Sequence, residues 1–199
     1  MNRKYSTIMT LEDHRAAARE LKTVLVGVTQ VEFAVQRKQK VPGRMLTRFR
    51  RIHRAVEKIY VEMQDVQERT LPRASDADAC WLKPESRQVP ACDPPKRVTV
   101  MTLAEHIAGA RNLGQASRAV LTFLDLVSDR RYLPVRILDM GLYIERLIHA
   151  IRSEMDDIQY VTLPRPDGSV DCWLGHFNYF DGDEDGATAG SQFAVEEQR

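Results

Sequence analysis

Seven apolar residues, Met45, Phe49, Ile52, Val56, Ile59, Met63 and Val66, follow one another at alternating steps of four and three. That spacing lays them along one stripe of an α-helix. A helix with one apolar stripe must bury it against another element, so the fold turns on what partners the chain supplies. It supplies three more helical segments. The first opens at "TLED", where Thr10 can cap a helix and Asp13, three residues on, can return the bond as in a capping box. Its apolar positions are Leu11, Ala18, Leu21, Leu25, Val28, Val31 and Val35. A third helix is expected from Leu103 to Asp129, with Ile107, Ala110, Gly114, Ser117, Leu121 and Leu124 as its inner line. The fourth shows Ile137, Gly141, Ile144, Ile148, Ile151, Met155 and Ile158.

The breaks between segments set the topology. In "KVPG", Pro42 pushes Val41 out of helical geometry and Gly43 supplies a turn. "SDRRYLP" makes a similar joint between the third and fourth helices. Short joints give antiparallel hairpins, and two hairpins with one-sided apolar faces close most simply into a bundle. The expected fold is therefore mainly α, an antiparallel four-helix bundle of two helical hairpins. The bundle would span residues 1–160, with a proline-rich irregular crossover at 71–102. Around "PRPDGS" the period changes, and 161–180 reads as a small β-hairpin; "RVTVMTL" at 97–103 could add a strand. The tail, 181–199, is acidic and Gly-rich and reads as unstructured. No long internal repeat is evident. The tripeptide "CWL" does occur twice, at 80–82 and 172–174, in non-helical segments whose Trp side chains can dock on the bundle.

Composition enters mainly through charge. The net charge of the 199 residues is only +1, but residues 1–73 carry 16 Lys or Arg against 8 Asp or Glu, whereas 161–199 carry 2 against 8. The two ends should meet different neighbours or attract each other. Three irregularly spaced cysteines suit a reducing compartment. With no signal-peptide core and no 18-residue apolar window, the expectation is a cytoplasmic protein without a membrane segment.

The sequence shows no phosphate-binding loop, dinucleotide glycine fingerprint, nucleophile elbow or zinc-protease motif. The reading is thus non-enzymatic, with no cofactor. What stands out is "QRKQKVPGRMLTRFRRIHR", residues 36–54, with eight cations and no acid. Arg37, Lys38, Lys40, Arg44, Arg48, Arg50, Arg51 and Arg54 would line the tip of the first hairpin and contact the phosphate backbone of DNA or RNA. Farther along the helix, Lys58–Glu62 and Asp65–Arg69 are spaced for ordinary salt bridges. The rival reading is an assembly, adaptor or inhibitor protein. It would bind a protein partner, or a second copy, through apolar residues off the main seams: Phe123, Leu126, Leu138 and Leu142.

Other features point less far. "LAEHIAGARNLGQASRAVL" begins and ends like a helix-turn-helix, but its apolar period passes Gly109 unbroken, which favours one continuous helix. Glu32 faces inward, level with Arg48, Arg51 and His53, and reads as a structural ion pair fixing hairpin register. His14 and His106 read as hydrogen-bonded core or rim residues at the same end of the bundle. Cys80, Cys92, Cys172 and His176 could make a Cys3His zinc set, though without the usual close cysteine pair. No metal is expected.

Overall fold

The structure is a computed structural model of the chain. It describes residues 7–36, 38–71, 80–81, 99–163 and 172–173. Four long helices account for most of them: α1 (Leu11–Gln36), α2 (Gly43–Thr70), α3 (Leu103–Ser128) and α4 (Val135–Thr162). The Thr10 capping box forms: the Asp13 amide donates to Thr10 Oγ1 at 3.2 Å, and the Thr10 amide donates to Asp13 Oδ2 at 2.8 Å. Thr102 and Glu105 repeat it at the start of α3. The helices α2 and α4 begin directly after Pro42 and Pro134, where a missing N–H costs nothing. The whole α2 seam is buried, and it joins residues of all four helices in one hydrophobic cluster.

The bundle is cyclic. α1 packs on α2 and α3, and α4 packs on α3 and α2. Every neighbouring pair is antiparallel. Thr7, before α1, bridges to Arg130, after α3, while Lys38, after α1, bridges to Thr99, before α3. One expectation fails on this geometry. His14 and His106 both lie near helix N-termini, so the antiparallel pair α1 and α3 sets them at opposite ends of the bundle.

The α3 seam is also corrected. Ala110, Ser117 and Leu124 are buried as expected, but Leu121 is 46% exposed, Ile107 and Gly114 are only half-buried, and the buried side adds His106, Leu113, Ala116, Val120, Phe123 and Val127. The stripe is rotated by about a quarter turn at 100° per residue, because the largest helix contact is with α1. Small residues let the two backbones meet there: a Cβ added at Gly27 would lie 2.6 Å from the Asn112 carbonyl oxygen. The expected β-hairpin and tail fall outside the described residues, apart from 161–163, of which α4 takes the first two, and 172–173, which form a turn. Of the strand expected at 97–103, Thr99 makes the isolated bridge to Lys38, and α3 starts at Leu103.

The architecture reveals what the repeated "CWL" left unread. Helix starts 11 and 103, and 43 and 135, differ by the same 92 residues. Aligned at that offset without a gap, residues 7–82 and 99–174 are identical at 28 of 76 positions. The chain is an internal duplication, contrary to the expectation of no long repeat. The three-dimensional details repeat as well. Trp81 Nε1–H donates to His14 Nδ1 at 3.1 Å, and Trp173 Nε1–H donates to His106 Nδ1 at 3.0 Å. Lys40 and Tyr132, again 92 apart, are the two non-glycine residues with positive φ among those described. Arg130 pairs with Asp13 as Lys38 pairs with Glu105, and Arg44 with Glu154 as Arg136 with Glu62. These contacts cross between repeats and map onto each other when the repeats are exchanged. The bundle therefore has an internal two-fold axis, the arrangement of an isologous dimer joined in one chain.

Candidate nucleic-acid interface

The eight cations named from the sequence do not act as one cluster. Arg37 lies outside the described residues. Lys38 turns back to the bundle and pairs with Glu105 at 2.7 Å, also bonding Thr99 Oγ1. Arg44 and Arg48 converge on Glu154 of α4, and Arg48 donates a further bond to the Ala150 carbonyl. The helix-local view of 37–54 as wholly uncompensated is thus corrected, because α3 and α4 bring the missing acids. Lys40, Arg50, Arg51 and Arg54 remain exposed, with no acidic partner among the described residues.

The expected salt bridges farther along α2 are rearranged in the opposite sense. Glu62 is taken by Arg136, which leaves Lys58 exposed without an acid among the described residues. Arg69 donates to the backbone carbonyl of Asp65, not to its carboxylate. At 100° per residue, Arg51 and Lys58 lie about 20° and 40° round from Arg44, on the edge of α2 turned toward α4, and Arg54 lies about 80° round, facing solvent. Arg146 on α4 is exposed too, its Nε–H donating to the Leu142 carbonyl of its own helix. The cationic feature is accordingly not the hairpin tip. It is a belt across the middle of the α2/α4 face, made by Arg51, Arg54, Lys58 and Arg146, while Arg50, about 120° round from Arg44, lies toward the α1 side of α2.

Comparison of the repeats shows that the fold does not demand this charge. At the places of Arg50, Arg51 and Lys58, repeat two carries Leu142, Tyr143 and Ala150 on an equivalent helix. Uncharged residues are compatible with the helix there. Of the belt, only Arg54 and Arg146 occupy equivalent positions with the same residue.

The buried polar groups look structural. Glu32 bonds His53 Nε2 at 3.0 Å and Gln36 at 3.2 Å, so the hairpin pair forms with His53, while Arg48 goes to Glu154. Trp N–H can only donate. His14 and His106 must therefore accept at Nδ1 and keep their proton on Nε2, which leaves neither a lone pair for a metal. Burial holds the His14 pKa down at about 4 and lowers that of His106. Cys80 and Cys172 each adjoin a Trp docked on one of these histidines, at opposite ends of the bundle, so they cannot share one zinc ion. Cys92 and His176 lie outside the described residues. Among those described, no three His, Cys, Asp or Glu side chains converge, and no helix is long and apolar enough to cross a membrane.

Most of the residues named for a protein interface are withdrawn from the surface, Phe123 by the rotation of α3. Phe123 is fully buried, Leu126 and Leu138 pack partly against the core, and only Leu142 is exposed, at 47%. The sequence reading missed Lys58 and Arg146 as belt members; the 92-residue offset would have paired Arg146 with Arg54. A separate open cleft of about 370 Å³ lies outside α1, with Arg19, Lys22 and Gln30 beside Gln115 of α3. No family model matches the chain, and no curated protein or solved structure proves similar to it.

Proposed function

We propose that the protein is a non-enzymatic nucleic-acid-associated factor that contacts phosphates through the α2/α4 belt. One observation carries this reading: four exposed cations, Arg51, Arg54, Lys58 and Arg146, gather on one face without acidic partners among the described residues, and two of them stand where the duplicate helix has uncharged residues. Clustered cations release the condensed counterions of a nucleic acid, and they need no fixed spacing to do so. The belt offers no base-reading element, which makes the contact largely indifferent to sequence.

The test is affinity for a labelled nucleic acid across a salt series. Binding should weaken steeply with salt, and replacing Arg51, Arg54 and Lys58 by Gln should flatten the slope by roughly 0.9 per lost phosphate contact on B-form DNA. Glu154→Gln should act the other way, releasing Arg44 and Arg48 and raising affinity. Absence of binding at low salt would sink the reading. The adaptor alternative rests on Leu142 and Tyr143, exposed at 47% and 38% beside the belt. If it holds, Leu142→Glu should abolish capture of a protein partner while the three Gln replacements leave capture intact.

A further inference from the structure

We infer that the nucleic acid is a duplex, bound across the internal two-fold axis with Arg54 against one strand and Arg146 against the other; this rests on the phosphate-contact reading above. The axis can be located from the two equivalent ion pairs. Arg44–Glu154 and Arg136–Glu62 exchange under the two-fold, so it passes between α2 and α4, level with the midpoint of 44 and 62 on α2 and of 136 and 154 on α4. Those midpoints are His53 and Glu145. Arg54 and Arg146, one residue beyond on each helix, are exposed and flank the axis symmetrically.

The two strands of a duplex run antiparallel and are related by local two-folds of their own. A protein face with the same symmetry can set one side chain against both backbones at once. Packed helices lie about 8–10 Å apart, on the scale of groove widths of about 6 and 12 Å. Arg54 and Arg146 point outward from opposite flanks of that pair, so their guanidinium groups stand farther apart than the helix axes and reach for phosphates across the wider groove. Arg51 and Lys58, present in repeat one alone, load one side and give the complex a direction.

Two other partners fit less well. A second copy of the chain, docked on the same axis, would press one cationic belt against another. A single strand would call for a row of aromatic platforms on which successive bases stack, and within the belt Tyr143 is the one exposed ring among the described residues.

The deciding experiment uses the full chain, with DNA and RNA duplexes of about 20 base pairs and their separated strands, over a salt series. Arg54→Gln and Arg146→Gln should weaken duplex binding to a similar degree, each flattening the B-DNA salt slope by roughly 0.9. Duplex should be preferred over single strand by tenfold or more. Circular dichroism melts keep folding separate from binding, and Lys22→Gln, on the far α1 face, should change neither slope nor preference. Equal affinity for single strands, or an Arg146→Gln slope identical to wild type, overturns the duplex inference while leaving phosphate contact standing. Binding to neither form overturns both.

Discussion

The imidazole of His14 is held from two sides. Its Nδ1 accepts the Trp81 N–H, while complete burial keeps the ring neutral, with a pKa near 4 against an ordinary 6.5. His106 is held in the same way and shifted in the same direction. Because the unfolded chain binds a proton in this range and the folded chain does not, stability is intact above pH 6.5. It falls as the pH drops toward 4. At 1.36 kcal/mol per unit, His14 alone should cost about 2 kcal/mol between pH 7 and pH 5. Asp13 and Glu105 add to the acid sensitivity below that range. Burial raises their pKa values, but bonds from Thr10 and Thr102 and the charges of Arg130 and Lys38 outweigh it. Denaturant midpoints across pH should show the loss. His14→Asn, which keeps an acceptor near the Nδ1 position without a titratable ring, should flatten the pH dependence; an unchanged profile would exclude His14 as the source.

Among the elements, α1 and α3 make the tightest pair, and their contact depends on the absence of a side chain at Gly27. Ala has the higher helix propensity by roughly 1 kcal/mol, yet its Cβ would stand 2.6 Å from a backbone carbonyl that cannot swing away. Steric conflict should win. Gly27→Ala is expected to destabilise by about 1–3 kcal/mol, read as a lower thermal midpoint, whereas Gly43→Ala, with nothing within 4 Å of the added Cβ, should not destabilise. A stabilised Gly27→Ala variant would mean that the helices can part without cost. The same close contact sets which side of α3 is buried. Its apolar residues alone suggest a stripe through Leu121, but Ala116 and Ala119 are buried because of what they allow α1 to do. In α2, where large apolar residues fill the seam, sequence and structure agree residue by residue.

For the whole molecule, the shared core ties the repeats together. A helical hairpin has one apolar face and cannot cover it alone, so each repeat uses the other as its lid. Unfolding should therefore be a single transition. The two tryptophans, one per repeat and at opposite ends of the bundle, make this measurable. In Trp81→Phe the fluorescence reports repeat two, in Trp173→Phe repeat one, and in each variant it should lose signal at the same denaturant concentration as the helical circular dichroism. A repeat that melted separately would reveal two independent cores. The same symmetry creates the candidate site. It sets Arg146 across the two-fold from Arg54 and pairs Arg44 and Arg48 with Glu154, so the cations of this face without an acidic partner among the described residues lie at the middle of the bundle instead of at its tip.

What the sequence determined by itself was local or periodic: four helices with their Pro breaks, the Thr10 cap, the α2 seam and the excess of positive charge in its first half. The duplication was also there, in two halves offset by 92 residues, but with 28 identities spread over 76 positions it declares itself only against helices of matching length. Only the tertiary structure decided which charges are spent. An ion pair between helices depends on distance in space, and Arg44 and Glu154 are 110 residues apart in the chain. Helix-wheel reasoning sees a cation facing solvent, whereas the fold brings a carboxylate from another helix to the same place. That is why, of a run of eight bases, Arg51 and Arg54 enter the belt and Arg146 joins them from another helix.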